Sequence, residues 1–123
     1  MGRTQFENLR VYQLAEELAD LCWKIVGMWN SFAQMTVGRQ LVTAADSVGA
    51  NIAEGSGRKS FADNKRFATI SRGSLYELKH WLRRAYSRNL LTAEQILPLQ
   101  TLINELTPRL NAYINSIGKQ NNN

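Results

Sequence analysis

The chain has 123 residues and a formal net charge of +5, from 15 lysines and arginines against 10 aspartates and glutamates. A hydrophobic content of 44% with only two prolines excludes a disordered chain, and the length predicts one domain spanning residues 1–123. Because no apolar run approaches the roughly 18 residues of a membrane span, and no signal-peptide core is present, we expect a cytoplasmic protein without membrane contact.

Two amphipathic helices are predicted in the first half of the chain, over about residues 9–29 and 33–55. Both segments carry apolar residues at spacings of three and four, the repeat of a helix with one buried side. These residues are Val11, Ala15, Leu18, Cys22, Ile25 and Trp29 in the first, and Val37, Leu41, Ala44, Val48, Ile52 and Gly55 in the second. The second helix should end at Gly55 and Gly57, since glycine enters the left-handed C-cap conformation without steric cost.

A third helix is predicted over about residues 61–88 and a fourth over 93–117. Ser60 should cap the third helix, and Thr92 with Gln95 has the capping-box pattern for the fourth. The inward-facing residues should be Phe67, Ser71, Ser74, Leu78, Trp81 and Ala85 in the third, and Ile96, Leu99, Ile103, Leu106, Leu110, Tyr113 and Ile117 in the fourth. Residues 118–123 form a polar tail. Four such helices with short connections predict an all-α, antiparallel up-down-up-down four-helix bundle.

Several large apolar residues fall outside these inward-facing sets. They are Trp23, Met28, Leu90, Leu91 and Leu97. Since a single bundle needs one buried side per helix, the extra apolar bulk indicates subunit contacts, with scattered surface hydrophobes as the alternative.

The positive charge is concentrated between Arg58 and Leu90, where nine basic residues face two acidic ones. The nine are Arg58, Lys59, Lys65, Arg66, Arg72, Lys79, Arg83, Arg84 and Arg88. At about 100° per residue, one subset, made up of Arg58, Lys65, Arg72, Lys79 and Arg83, should lie opposite the buried side of the third helix. Such a surface predicts sequence-independent contact with the phosphates of a nucleic acid. An acidic protein partner, or a solvated helix surface without a partner, are the alternatives.

Catalytic and metal-binding patterns are not found. His80 is the single histidine, and Glu77 with His80 gives the Glu-x-x-His spacing once, whereas a di-iron bundle needs it twice with two further carboxylates. Cys22 lies in an apolar repeat and is predicted to be a buried structural cysteine. We therefore expect no enzyme activity, cofactor, metal or small-molecule substrate.

Asn51 and Glu54 lie one helical turn apart beside the predicted glycine turn. Polar groups among alanines and glycines need hydrogen-bond partners. We expect them to hold the turn to the third helix through Ser74 or Arg72, and a ligand site is the alternative.

The chain resembles a known family in two stretches of sequence. These are Gln40, Leu41, Ala44, Ala45, Ser47, Val48, Asn51, Ile52, Ala53, Glu54, Gly55, Ser56, Gly57 and Arg58, followed by Phe67, Ile70, Gly73, Ser74, Leu75, Glu77 and Leu78. The pattern is similar to that of the proteins encoded in intervening sequences of bacterial 23S ribosomal RNA genes. Where members commonly carry two arginines, this chain has Val42 and Thr43, which moves the binding prediction to the third helix.

The resemblance implies a homopentamer of four-helix bundles without known catalytic residues. It assigns a structural role to a motif made up of Asn51, Glu54, Gly55, Gly73, Ser74 and Glu77. A related group, the accessory variability proteins of diversity-generating retroelements, is similar in fold, basic, and binds nucleic acid and a reverse transcriptase. The resemblance therefore implies nucleic acid as a partner, and a reverse transcriptase as a further one.

Overall fold

A computed structural model describes residues 6–119, and all regular structure in this range is helical. A short 3₁₀ turn at Phe6–Asn8 precedes α1, which spans Arg10–Gly27. Three helical stretches follow one another without a break and together form α2: Ser31–Ala33, a π-helical turn at Gln34–Gly38, and Arg39–Ser56. α3 spans Phe61–Ser87 and α4 spans Ala93–Ser116. The predicted all-helical fold with four helices is confirmed.

The four helices pack around one apolar core, an arrangement consistent with a four-helix bundle. α1 and α3 each pack against both α2 and α4, and across residues 6–119 the helices of neither diagonal pair bring Cα atoms within 8 Å of one another. Fully buried side chains from all four helices fill the centre, among them Leu18, Leu41, Leu78 and Leu106. α1 with α2 therefore forms one side of the molecule, and α3 with α4 forms the opposite side.

The contact between α2 and α3 is the most extensive one between helices. Gly55 of α2 is buried, and a Cβ atom there would lie 2.8 Å from the Cβ of Phe67 on α3. One turn further into the core, the hydroxyl of Ser71 donates a 2.7 Å hydrogen bond to the carbonyl of Val48. The small residues of α2 thus let α3 approach closely, and a buried hydrogen bond fixes the alignment of the two helices.

The helix ends show which capping predictions hold. The hydroxyl of Ser60 accepts a 3.1 Å hydrogen bond from the amide of Asp63, and Thr92 with Gln95 forms the reciprocal capping box. The left-handed conformation predicted after α2 is wrong, because Gly57 has φ −87°. The left-handed glycine within the described range is instead Gly118, with φ +82°, just after α4.

The π-helical turn in α2 was not predicted from the sequence. It brings Gly38 against α1, where a Cβ atom would lie 2.7 Å from Cγ1 of Val26. The side-chain amide of Gln34 donates to the backbone carbonyls of Val26 and Gly27, at 3.1 and 3.2 Å. The turn therefore closes the end of α1. Of the predicted tail, residues 120–123 lie outside the described residues.

The large apolar residues outside the predicted inward-facing sets differ in how far their side chains are exposed. Leu90 and Leu91 lie in the α3–α4 connection, where Leu91 is buried and Leu90 is half-buried. Trp23, Met28 and Leu97 are 67%, 69% and 69% exposed. The structure of a single chain does not bury these three.

Candidate nucleic-acid interface

The nine predicted cations line α3 and the residues on either side of it. We call them the basic surface. Arg58 and Lys59 are exposed in the connection before the helix, and Arg88 is exposed at its C-terminal cap. The other six lie on α3 itself: Lys65, Arg66, Arg72, Lys79, Arg83 and Arg84. By the rise of a helix, the distance from Lys65 to Arg88 is about 35 Å.

The predicted orientation of this surface is partly wrong. The buried side of α3 runs through Ala68, Ser71 and Leu75 rather than through Phe67 and Ser74, which are only half-buried. On a helical projection this rotates the buried side by roughly 45° from the prediction. Ala68 is fully buried although the predicted inward-facing set omitted it, whereas Phe67, which that set included, is half-buried.

As a result, four of the cations point toward α4 rather than directly away from the core. Arg72 and Lys79 are half-buried on this side, whereas Lys65 and Arg83 are exposed. Arg84 and Arg88, by contrast, project from the outer side of α3. The basic surface therefore has two rows of cations rather than one.

We call the four cations that point toward α4 the inner row. α4 carries amide side chains beside this row. The guanidinium of Arg72 donates a 3.0 Å hydrogen bond to Oδ1 of Asn111. Further along the same side of α4, the amide of Gln100 donates to Oδ1 of Asn104 at 3.2 Å. These amides were missed in the sequence. A spacing of four and seven residues places Gln100, Asn104 and Asn111 on one side of a helix, and this spacing could have indicated them.

Two of the nine cations are neutralised within the chain. The guanidinium of Arg58 lies 2.9 Å from a carboxylate oxygen of Glu54, and that of Arg66 lies 3.3 Å from Asp63. Both guanidinium groups also stack over the ring of Phe67, at 4.7 and 4.6 Å from its centre. This cluster ties the start of α3 to the end of α2 and contributes little net charge.

The other seven cations have no carboxylate partner within residues 6–119. They are Lys59, Lys65, Arg72, Lys79, Arg83, Arg84 and Arg88. Since Arg72 meets only the neutral Asn111, its charge also remains uncompensated. An exposed aromatic accompanies them, because Tyr76 is 54% exposed with the ammonium of Lys79 4.9 Å from its ring. Cations and an aromatic surface are the groups that contact phosphates and stack on unpaired bases.

The prediction that Asn51 holds the turn to α3 is wrong, whereas Glu54 contributes to that link through Arg58 rather than through Ser74 or Arg72. The amide of Asn51 donates to the carbonyl of Ser47 in its own helix at 2.8 Å, and Glu54 pairs with Arg58. Neither side chain forms a hydrogen bond or an ion pair with Ser74 or Arg72.

The other four residues of the predicted structural motif differ in whether they contact a second helix. They are Gly55, Gly73, Ser74 and Glu77. Gly55 is required by the close approach of α3, whereas a Cβ atom at Gly73 would meet nothing within 4 Å. Ser74 is half-buried, and Glu77 accepts a 3.3 Å hydrogen bond from the indole of Trp81. Gly73 and Glu77 thus have no role in joining the helices of a single chain.

A groove of about 920 Å³ lies between the second half of α3 and the first half of α4. Lys79 and Arg83 stand on its α3 side, and Gln100 and Asn104 on its α4 side. Its lining is mainly apolar, from Leu82, Tyr86, Leu91, Ile96, Leu97, Leu99 and Ile103. The inner row of cations therefore borders an apolar depression.

Outside the basic surface, the described residues include one buried cysteine. Burial raises the pKa of the Cys22 thiol to about 12, with a smaller contribution from the charge of Asp46, so the thiol is unreactive in the folded chain. Within the described range, no group of three or more His, Cys, Asp or Glu side chains could hold a metal ion. No helix in the same range is long and apolar enough to cross a membrane.

Comparisons with known proteins identify a family model that matches the chain and a solved structure with a similar fold. The model of a family described as 23S rRNA-intervening sequence protein matches residues 7–112. A crystal structure of a protein of unknown function from the S23 ribosomal protein family of Bacteroides thetaiotaomicron is similar, with a TM-score of 0.77. It is 23% identical and the match covers 85% of this chain and 97% of that one, which supports the fold. Comparison with curated proteins yields no match.

Proposed function

The chain belongs to the 23S rRNA-intervening sequence protein family, and from that premise we propose that it is a non-catalytic, nucleic-acid-binding protein of the cytoplasm. It binds RNA or DNA largely through phosphate contacts along the basic surface. Its helices form an antiparallel up-down-up-down bundle, and the bundle assembles into a homopentamer. It uses no cofactor and no small-molecule substrate.

The observation that carries the binding proposal is the set of seven cations without a carboxylate partner. Opposite charges three or four residues apart form stabilising pairs on a helix, and of the nine cations of the basic surface only Arg58 and Arg66 have such a partner. Each phosphate that such a cation neutralises releases counterions, so affinity should fall steeply with salt concentration. The contacts are to the backbone of the nucleic acid, so little preference among sequences is expected.

The test removes three of these cations, Lys65, Arg84 and Arg88, by substitution with glutamine. A matched control removes three exposed cations on other elements, Lys24, Arg39 and Lys119, none of which has a carboxylate partner in the described range. The net charge falls from +5 to +2 in both variants. Binding is measured by fluorescence anisotropy across a salt series, with 30-nucleotide RNA and 30-base-pair DNA probes.

In the first variant we expect the slope of log affinity against log salt to lose about 2 to 3 units, and affinity to drop roughly 100-fold at 0.1 M salt. The control should retain the parent slope, and the helical circular dichroism should be the same in all three proteins. Equal losses in both variants would show that only net charge matters. Binding that does not respond to salt would refute the proposal.

A second candidate function is that of a protein-interaction accessory subunit, with a reverse transcriptase as partner. The observation that favours protein contact is the exposure of Trp23, Met28 and Leu97, since exposed apolar patches mark interaction sites. This candidate predicts that the tagged chain retains a reverse transcriptase after nuclease treatment of the lysate. A partner lost on nuclease treatment would favour nucleic-acid binding instead.

The exposed apolar residues also support self-association. The pentamer predicts a sedimenting species five times the 13.9 kDa of one chain, and a species of 13.9 kDa at micromolar concentration would exclude it. Measuring the mass with and without nuclease separates association of the protein itself from bridging by nucleic acid.

A further inference from the structure

Tyr76 is an exposed aromatic residue in the middle of the basic surface. On a helical projection it lies between the two rows of cations, next to the inner row. Its side chain is 54% exposed, and the ammonium of Lys79 lies over one face of the ring, 4.9 Å from its centre. Because an aromatic ring stacks through its faces, the surroundings of the other face decide what the ring can bind.

The neighbours of Tyr76 on α3 leave that other face open. Side chains of a helix point toward its N-terminus, so the ring of Tyr76 extends over the turn that holds Arg72 and Gly73. Gly73 is exposed, has no side chain, and nothing stands within 4 Å of the position of its Cβ atom. The guanidinium of Arg72 is held on the side of α4, where it donates to Oδ1 of Asn111. The side of the ring toward Gly73 is therefore free to receive another flat group.

The charges nearest to this ring are positive. The inner row stands on one side of Tyr76, and Arg84 lies on the other. The acid Glu77 lies about 100° further around the helix, and its carboxylate accepts the hydrogen bond from the indole of Trp81. Glu94 lies in the first turn of α4, which follows the C-terminal end of α3 after a short connection. A nucleic-acid strand that passes Tyr76 therefore meets cations on both sides of the ring.

We propose that the basic surface binds unpaired, single-stranded nucleic acid, with a base stacked on the open face of Tyr76 and Lys79 on the opposite face. This rests on the nucleic-acid binding in the proposed function and names the form of nucleic acid. In a duplex the faces of the bases are covered by their neighbours, whereas an unpaired strand offers both phosphates and base faces. Since every base has a flat aromatic face, stacking adds affinity without requiring a particular sequence.

The proposal also gives Gly73 a function. A glycine in the middle of an exposed helix lowers its stability, and no close contact within the single chain requires one at this position. A larger side chain there would pack against the ring of Tyr76, because residues three apart are neighbours on a helix surface. Gly73 thus keeps the stacking face accessible.

The test separates base stacking from phosphate contact. The probes are 30-nucleotide strands of oligo(U) RNA, oligo(dT) DNA and abasic DNA, which carry the same phosphates with or without bases, and a 30-base-pair DNA duplex. Tyr76→Leu removes the ring, Tyr76→Phe retains it, and Gly73→Leu covers its open face. Tyr86→Leu is the matched control, because Tyr86 is 56% exposed on the same helix but lines the α3–α4 groove. Affinity is measured by fluorescence anisotropy across a salt series, after circular dichroism has shown equal helix content.

The parent should bind oligo(U) and oligo(dT) more tightly than the abasic strand. Tyr76→Leu and Gly73→Leu should each weaken binding of oligo(U) and oligo(dT) by about 5- to 100-fold, the range expected for the loss of one stacked base. Tyr76→Phe and Tyr86→Leu should bind like the parent. Affinity for the abasic strand and the duplex, and the slope of log affinity against log salt, should be the same in all these proteins, because the phosphate contacts are retained.

Unchanged affinity of Tyr76→Leu for both oligo(U) and oligo(dT), or an equal loss on the abasic strand, would overturn the proposal. So would a Gly73→Leu variant that binds like the parent, or a Tyr86→Leu variant that loses as much as Tyr76→Leu. A parent that binds oligo(dT) and the abasic strand equally would refute stacking and leave phosphate binding intact. A parent that binds none of the probes would refute the nucleic-acid binding on which the proposal rests.

Discussion

Two glycines in neighbouring helices allow a direct test of how closely α2 and α3 approach. Alanine at Gly55 would place a Cβ atom 2.8 Å from both Oδ1 of Asn64 and Cβ of Phe67, and 3.0 Å from a backbone oxygen. Since backbone and Cβ atoms cannot move away as a flexible side chain would, the helices must separate. Overpacking of this kind costs about 1 to 3 kcal/mol. The better helix propensity of alanine offsets only part of that cost, because Gly55 lies in the last turn of its helix.

The same substitution at Gly73 should act in the opposite direction. Gly73 lies in the middle of α3, and nothing stands within 4 Å of the position of its Cβ atom. Alanine there should stabilise the fold by about 0.5 to 1 kcal/mol, by reducing the backbone entropy lost on folding. Gly73→Ala thus serves as the matched control for Gly55→Ala.

The assay is urea denaturation at fixed protein concentration, because self-association would make stability depend on concentration. For a chain of this length each kcal/mol also shifts Tm by roughly 3 to 6 °C. If Gly55→Ala were as stable as the parent, the close approach of α2 and α3 would be refuted. If Gly73→Ala were less stable than the parent, and that difference disappeared as both proteins were diluted, the α3 surface around Gly73 would be a subunit contact.

Two further predictions concern buried groups. Ser71→Ala removes the 2.7 Å hydrogen bond to the carbonyl of Val48, and should lower the free energy of unfolding by about 0.5 to 1.5 kcal/mol; an unchanged urea midpoint would contradict this role. Burial raises the pKa of Cys22 from 9.0 to about 12, so the unfolded chain loses this proton first and stability falls as pH rises above 9. Relative to Cys22→Ala, the parent should lose about 1 to 1.5 kcal/mol between pH 8 and 10, and parallel pH profiles would show that the thiol ionises normally in the fold.

The elements of this fold could be predicted from sequence because each helix has a strong apolar repeat and a local end signal. All four helices begin and end within two residues of the predicted positions. Ser60 and Thr92 cap their helices as predicted, because a capping hydrogen bond involves only residues three apart. Such local interactions can be recognised without knowledge of how the helices pack.

The orientation of α3 could not be predicted in the same way. The apolar repeat alone does not show that Ala68, a small residue, is fully buried while Phe67 beside it is half-buried, or that Arg72 would meet Asn111 on another helix. For the same reason Asn51 was assigned a partner on α3, whereas its amide bonds to Ser47 in its own helix. Contacts between helices depend on backbone separation, and a single sequence specifies that separation only indirectly.

The close approach of α2 and α3 also determines where the cations of α3 lie. Because α2 presents small side chains, α3 lies close to α2 and shares far fewer contacts with α4. The side of α3 toward α4 is consequently open, and long cationic side chains such as Lys79 and Arg83 can stand there above an apolar groove. Had α3 been centred between its neighbours, α4 would fill that space. The same close contact at Gly55 and Ser71 that holds the core together therefore leaves room for the groove and exposes the cations that border it.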